Sequence, residues 1–564
     1  MKIFTYLLSK SRGTFILAVM AGLISGGTTT GIIALIHRAL SVEETARSTL
    51  VWAFVGLVAV VLLSEIIAQV LLYLAQKVVF DLRVWLSERI LSTPLRQLEE
   101  IGAPRVLAVL TDDVTAIANA ITMSPLIFIS MTVVIGSLVY MGWLSPIMLL
   151  ITLGFIMLGI FSFQLPRRKA APYLNRARES QDNLFGGLRA LAEGTKELKI
   201  HRRRRATFHS QILIESSRVL MRERIKGMSI FRIAGAWGQL ITLIIIGLLL
   251  FAIPQILDFN TQLLTGYTLA LLYMMVPMST LMNVMPTLGV AGASLRKIQS
   301  LGLSLENDQT VSQAEARDES PPFRSLLELV GVTHTYHREK ENSSFTLGPI
   351  DLALRPGELV FIIGGNGSGK TTLVKLLTGL YTPEAGEIRL DGQPIIDQNR
   401  DDYRQLFSVV FSDFYLFERL LGLDHLELDE QAQEYLVQLQ LNHKVKVENG
   451  VLSTTALSQG QRKRLALLTA YLENRPIYVF DEWAADQDPL FKELFYTRLL
   501  PELRQRGKTV LVITHDDRYF HTADRIIKLD DGKVVYDRPA AEALSELSVP
   551  RNNTEMMKHS AGSS

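Results

Sequence analysis

Six stretches of this chain are each long and apolar enough to cross a bilayer as a helix, and nothing else in the sequence constrains its fold as strongly. They fall at about 13–37, 51–76, 117–142, 146–164, 230–254 and 263–289, one of them containing the run ITLIIIGLLLFAIP. A span needs roughly 20 mostly apolar residues, and inside lipid only a helix or a closed barrel satisfies its own backbone. One such stretch could be a buried helix of a water-soluble protein. Six in succession, all in the first half, predict a helical membrane domain.

The connections set the topology. Those after spans one, three and five are short, and Arg47 is essentially their only basic residue. Those after spans two and four are long and basic: the first carries Arg83, Arg89, Arg96 and Arg105, the second Arg167, Arg168, Lys169 and the run Arg202-Arg203-Arg204-Arg205. Lys and Arg favour the cytoplasmic side of membrane helices, so both long loops and both termini are expected in the cytoplasm. The long loops keep a three-to-four residue apolar period, as in FDLRVWLSERILSTPLRQLEE; they read as cytoplasmic extensions of the membrane helices. Residues 1–12 are short and basic, but the apolar stretch that follows is too long for a cleavable signal.

Composition removes other classes. With 58 Lys and Arg against 56 Asp and Glu, the net charge of +2 gives no case for nucleic acid as a partner. The chain has no cysteine, which excludes disulfides and thiolate metal sites. The expected division is a transmembrane domain over 1–300, a polar, acidic, Pro-containing linker over 301–325, a second domain over 326–542 and a flexible tail over 543–564.

In the second domain short apolar runs alternate with helical segments, the pattern of an α/β fold with a largely parallel sheet. After the strand-like ELVFII comes Gly364-Gly365-Asn366-Gly367-Ser368-Gly369-Lys370-Thr371-Thr372, opening the helix-like TTLVKLLTGL. This is the G-x-x-x-x-G-K-[ST] loop in its required context. Its glycines let backbone N–H groups wrap phosphate oxygens, Lys370 supplies a point charge, and the Thr371 hydroxyl suits Mg²⁺. A later strand, IYVF, ends in Asp481-Glu482. Asp481 is placed to hold Mg²⁺ and Glu482 to orient or deprotonate an attacking water.

Between these motifs stands Leu457-Ser458-Gln459-Gly460-Gln461, and with it the chain resembles the ABC ATPases, whose signature is LSGGQ; Gln459 replaces a glycine. Asp486-Gln487-Asp488 matches the D-loop, His515 in Thr514-His515-Asp516 the switch histidine, and Tyr336 the aromatic residue that stacks on adenine. Six spans before one motor resemble an ABC exporter half-transporter: a six-span α-helical membrane domain of the type IV exporter kind followed by an α/β P-loop ATPase domain. The run Asp481-Glu482-Trp483-Ala484-Ala485-Asp486-Gln487-Asp488-Pro489 is similar to the cyclic-peptide exporter branch, which handles lipopeptides, peptide siderophores and microcin-like peptides. Most exporters carry Pro-Thr-Ser where this chain has Trp483-Ala484-Ala485, and the stretch 412–457 is shorter than usual, predicting a trimmed helical subdomain.

The resemblance implies a multi-pass protein of the bacterial inner membrane, acting as a homodimer that uses ATP and Mg²⁺ to export a peptide-derived compound. In such a pair Ser458, Gly460 and Gln461 of one copy meet the nucleotide held by the other, and residues 95–105 and 193–202 are candidate levers to the motor. A lipid or lipid-linked flippase shares the same architecture. Where exporters place a metal-touching glutamine, this chain has Ser412 in FSDFYLF. Its shorter side chain predicts contact through a bridging water or an inward shift of the loop, with Asp413 as an alternative donor. For the cargo path, Ser64, Glu65 and Gln69 share one face of span two, and an ionisable group there faces either a cavity or a neighbouring helix. Met274, Met275, Met278, Met282 and Met285 line span six; flexible thioethers suit a tolerant surface as well as ordinary packing.

Overall fold

The computed structural model describes residues 12–41, 47–252, 255, 261–300, 326–338, 343–423 and 427–547. It divides into two units, one of residues 1–92 with 101–308, the other of residues 93–100 with 309–564.

Among the described residues, the membrane unit holds no strand and is almost entirely helical. Its principal helices are α1 (Arg12–Ser41), α2 (Arg47–Ser92), α3 (Leu95–Ile101, of which residues up to Glu100 group with the second unit), α4 (Val114–Thr122), α5 (Ser124–Leu144), α6 (Pro146–Glu193), α7 (Glu215–Gly247) and α8 (Thr261–Ser300). Four of the expected spans fall within α1, α2, α6 and α8, the third is shared by α4 and α5, and the described part of the fifth begins in α7 and continues in a π-helical segment, Leu248–Ala252. Among the described residues, four helical stretches are long and apolar enough to cross a membrane: Ala103–Leu144, Pro146–Glu193, Arg202–Ala252 and Thr261–Gln299. The third span is not continuous, because α4 ends at Thr122 and α5 begins at Ser124 with a proline in its first turn. Helices α2, α6, α7 and α8 run well beyond bilayer thickness, as the amphipathic loops predicted. The side chains of Glu65 and Gln69, on α2, lie outside the described residues.

Small residues set the closest helix approaches. A Cβ on Gly26 of α1 would stand 2.6 Å from the Thr132 Cβ on α5, and one on Gly22 would stand 2.9 Å from the Phe128 Cβ. Glycines four apart on one helix are a recurrent way of bringing membrane helices together, since lipid offers no hydrophobic drive to do so. Tyr267 of α8 is fully buried, and its hydroxyl shares one proton between the carbonyls of Met141 (2.6 Å) and Ser145 (2.7 Å) at the end of α5. Toward the end of α8, buried Asp113 accepts from Ser294 at 2.7 Å and pairs with Lys297 at 2.9 Å.

The second unit is the expected α/β domain. Its larger sheet has the order β12-β11-β3-β10-β9-β6, formed by β12 (Lys533–Pro539), β11 (Arg525–Asp530), β3 (Leu359–Gly364), β10 (Thr509–Ile513), β9 (Ile477–Asp481) and β6 (Phe407–Val410). Every pairing is parallel except β11 with β12. Strands β3, β9 and β10 are buried on both faces, which explains their unbroken apolar runs. A second, antiparallel sheet is ordered β2-β1-β4-β5, from β1 (Leu327–Arg338), β2 (Ser343–Leu354), β4 (Ala385–Leu390) and β5 (Gln393–Pro394). Helix α9 (Lys370–Leu377) follows β3. Among the described residues of 412–457, the only α-helix is α10 (Leu428–Gln438), followed by the small hairpin β7 (Val447–Glu448) and β8 (Val451–Leu452). Helix α11 (Gln459–Glu473) leads into β9. The last helix, α12 (Ala540–Leu547), carries ordered structure past the boundary expected at 542; the expected linker 301–325 lies outside the described residues.

Candidate nucleotide site

The site forms where β3, β9 and β10 end, the edge at which open parallel sheets receive ligands. The loop after β3 turns tightly because two glycines permit it. A side chain on Gly364 would collide with the Leu529 carbonyl of β11. Gly369, at φ 98°, takes a left-handed conformation at the N-cap of α9. With those turns made, Lys370 is drawn inward, 5% exposed, and its ammonium donates to the carbonyls of Gly364 (3.1 Å) and Gly365 (2.9 Å). Burial pushes the Lys370 pKa down, partly offset by Glu482 and Asp481. The Ser368 hydroxyl is buried with no hydrogen-bond partner, a polar group poised for an incoming oxygen.

A cavity of about 1010 Å³ opens beside this loop. Tyr336, Asn366, Gly367, Gly369, Lys370, Thr371, Thr372 and Glu482, all singled out from sequence, line it together. Tyr336 is half-exposed on β1, so the antiparallel sheet supplies an aromatic wall to a cavity built on the parallel one.

Asp481, at the end of β9, is fully buried. One of its oxygens accepts from Thr371 at 3.0 Å and from Ser412 at 3.4 Å, while the other, Oδ1, has no partner. The Ser412 hydroxyl thus reaches the Asp481 carboxylate directly. Asp413 is exposed. Burial pushes the Asp481 pKa up, with Glu482 adding to it and the two hydroxyls opposing it. A buried carboxylate with an unused oxygen, flanked by two hydroxyls, has the donor chemistry for a hard cation that keeps water and phosphate ligands. No group of three His, Asp or Glu side chains placed to hold a metal ion occurs among the described residues, so a cation here would draw its remaining ligands from elsewhere.

Glu482 follows Asp481 at φ 49°, a left-handed conformation that non-glycine residues rarely adopt. Its N–H donates to the Ile513 carbonyl at 3.1 Å, and its carboxylate stands 3.2 Å from Nε2 of His515. Ser458 and Gln461 form a capping box at the start of α11, each side chain meeting the other's backbone. A Cβ on Gly460 would stand 2.8 Å from the Asp486 carbonyl, whereas Gln459 is exposed. The signature therefore accepts glutamine at one glycine position and not at the next. Ser458, Gly460 and Gln461 do not line the cavity.

Sequence reasoning missed two groups. Glu99 of α3 lines the cavity, accepting from Lys375 at 2.7 Å and from the Tyr381 hydroxyl, while Arg96 pairs with Glu384 at 2.8 Å. Only the assignment of 95–105 as a lever hinted at this; no local spacing could. The second is Lys463, 3% exposed, whose ammonium donates to the Glu482 carbonyl at 3.0 Å and pairs with Asp486 at 2.7 Å. Trp483 donates its indole N–H back to the Lys463 carbonyl at 2.8 Å and stacks on Phe495, centroids 4.3 Å apart.

Comparison with known proteins agrees with this geometry. The model of the ABC transporter transmembrane region matches residues 13–278, and that of the ABC transporter matches residues 347–485. The chain is 40% identical to the ATP-binding protein SyrD of Pseudomonas syringae pv. syringae over 92% of this chain and 93% of that protein. It is 29% identical to the ATP-dependent lipid A-core flippase of Alkalilimnicola ehrlichii over 82% and 79% respectively. A bacterial Atm1-family ABC exporter with ATP bound shares the fold, with a TM-score of 0.73 over 99% of each chain at 18% identity. Spans, phosphate loop, signature and paired acids on one polypeptide, together with a relative this similar over nearly its whole length, mean that the chain belongs to the ABC transporters, as a membrane-integral exporter whose ATPase drives transport.

Proposed function

We propose that this exporter works as a homodimer that moves a peptide-derived compound out of the cytoplasm across the bacterial inner membrane, both termini remaining inside. The observation that carries the dimer is the signature: Ser458, Gly460 and Gln461 do not line the chain's own nucleotide cavity. Their helix-start N–H groups and hydroxyl are suited to a nucleotide held by a second copy. The cargo assignment rests on the similarity of 481–489 to the cyclic-peptide exporter branch and on the greater distance of the flippases.

In this reading Tyr336 stacks on the adenine, and the phosphate-loop N–H groups with Ser368, Lys370 and Thr372 hold the phosphates. Thr371, Asp481 and Ser412 would hold Mg²⁺, which when bound neutralises phosphate charge and orients the terminal phosphate. Glu482 orients the attacking water and takes up its proton, and His515, 3.2 Å away, steadies that carboxylate. Glu65 and Gln69 remain candidates for the cargo path.

The test is ATP-dependent uptake of a panel of linear and cyclic peptides into inside-out vesicles. Saturable uptake of a peptide that also stimulates ATP hydrolysis is expected. Stimulation by lipid A-like lipids with no peptide uptake would replace this reading with the flippase one.

A further inference from the structure

Another cavity in the ATPase unit, of about 780 Å³, opens at the opposite edge of the larger sheet from the nucleotide site. Strands β9 and β10 run parallel. Asn474 and Lys508, which line this cavity, stand just before the two strands begin, whereas Asp481 and His515 stand where they end. Helix α11 spans the distance: its first turn carries the signature, and Tyr471, in its last turn, lines the cavity. The 15 residues of α11 make a helix about 22 Å long. The cavity is therefore remote both from the chain's own nucleotide and from the helix start proposed to meet a second copy. Its volume falls within the ~300–1,000 Å³ typical of small-ligand sites.

The two walls differ in kind. On α10, Gln431 and Tyr435 are four residues apart and follow Glu427, the residue at the helix cap, so all three share one face. Two turns of helix put Glu427 about 12 Å from Tyr435 along the axis. Tyr435 packs against Tyr471 with ring centroids 5.3 Å apart. Tyr471 is 7% exposed, so half-buried Tyr435 offers the accessible ring. The other wall brings two cations. Exposed Arg506 donates to the Tyr435 hydroxyl at 3.5 Å, and half-buried Lys508 donates to the Asn474 carbonyl at 3.1 Å. Among the described residues neither forms an ion pair, and Glu502, one turn before Arg506, is engaged by Arg498 at 3.0 Å. Burial pushes the Lys508 pKa down, and Arg506 pushes it further. Two cations that repel each other across one cavity, each with a neutral partner, are arranged for an anion arriving from outside. A guanidinium fork beside an ammonium point charge suits a phosphate.

We infer that this cavity binds a nucleoside monophosphate: the phosphate meets Arg506 and Lys508, the base lies on Tyr435, and an amine on the base donates to Glu427 at the far end. Phosphate alone would use the cations and leave the α10 face idle. The ligand would tie α10 to the starts of β9 and β10, at the foot of the helix that carries the signature.

The test is equilibrium dialysis of radiolabelled AMP against the full chain in phosphatidylcholine nanodiscs, in EDTA. One AMP per chain should bind, and the double substitution Lys370→Ala, Tyr336→Ala should leave that binding unchanged. Arg506→Gln should weaken it on the order of ten- to a hundred-fold, as for loss of a charge-assisted bond, at unchanged unfolding temperature. Arg506→Lys should recover part of the loss. Tyr435→Leu should reduce AMP to the affinity of ribose 5-phosphate, a weak competitor against wild type. Glu427→Ala should weaken AMP several-fold and leave IMP, whose base lacks the amine, unchanged. Binding lost in the Lys370, Tyr336 double variant but kept in Arg506→Gln would place the AMP in the catalytic cavity and overturn the site. Competition by ribose 5-phosphate equal to that of AMP would overturn the base contact, and equal competition by adenosine would overturn the phosphate contact. No binding at millimolar AMP would overturn the proposal outright.

Discussion

Asp481→Asn should stabilise the nucleotide-free protein and at the same time remove most of the stabilisation that nucleotide confers. The carboxylate is fully buried, two hydroxyls share one oxygen, and the other oxygen has no partner. An unsatisfied buried polar group costs about 1–3 kcal/mol, and more when charged. The amide keeps the shape, still accepts from Thr371 and removes the charge, while its N–H groups take the unpartnered place, so only the extra cost of the charge is recovered, on the order of 1 kcal/mol. For a domain of this size that is about 2–4 °C. With a non-hydrolysable ATP analogue and Mg²⁺ at a hundredfold excess over Kd, the wild type should gain about 2.7 kcal/mol. The variant, lacking the charge that offsets the cation, should gain far less. Calorimetry of the full chain in nanodiscs, in EDTA and then in analogue with Mg²⁺, reads both terms on the transition of the ATPase unit. A variant less stable than wild type in EDTA, or equally stabilised by the Mg²⁺-loaded analogue, would refute the reasoning.

Other outcomes can be checked alongside. Glu482→Gln should bind ATP normally and hydrolyse it on the order of 10²–10⁴-fold more slowly, measured as single-turnover phosphate release. Mixing Lys370→Ala chains with Ser458→Arg chains should restore ATP binding at one site per pair, because both lesions fall on the same composite site; mixtures that bind no more than either mutant alone would exclude shared sites. Lys463→Met, which removes the ammonium holding the Glu482 carbonyl, should lower kcat several-fold with little change in KM, whereas a purely structural lysine would change only the unfolding temperature. Glu473 is held above the usual carboxyl range by burial, against its bond from Ser408. Its proton is bound more tightly folded than unfolded, so wild type should lose stability relative to Glu473→Gln as pH rises through that raised value, read from paired unfolding curves.

Much of the molecule was legible because the strongest signals are local. An apolar run of bilayer length forms a helix wherever it lies, and a phosphate loop requires its glycines in order, so Gly364, Gly369, Lys370 and Asp481 could be placed by number. The break between Thr122 and Ser124 was not legible, since hydropathy continues across it and only Pro125 marks the new start. Nor was the antiparallel sheet under Tyr336, whose pairs join β1 to β4 across the phosphate loop. Glu99 is further out of reach: its partners Lys375 and Tyr381 are 276 and 282 residues away, and no periodicity encodes such a meeting. For Ser412 side-chain length left a bridging water and an inward loop both open, and only the loop's own path brings its hydroxyl to Asp481.

The departure at Trp483 has a physical account of the same kind. Glu482 sits in a left-handed conformation that costs on the order of 1–3 kcal/mol and persists only if its surroundings over-determine it. Three groups do so: the Ile513 carbonyl of β10 accepts its N–H, Lys463 donates to its carbonyl, and the next residue's indole donates back to Lys463 while stacking on Phe495. Two of those bonds come from α11, the helix that opens with the signature. The D-loop is tied to that helix start as well, because Gln487 donates to the Gly460 carbonyl at 2.9 Å while accepting from Arg464. A proline in place of Trp483 could make neither the indole bond nor the stack, so the Trp-Ala-Ala sequence and the buried lysine belong together as one device. Through it the carboxylate that faces His515 is held by the same helix whose first turn would meet the nucleotide of a second copy, and any rotation of that helix must act on both.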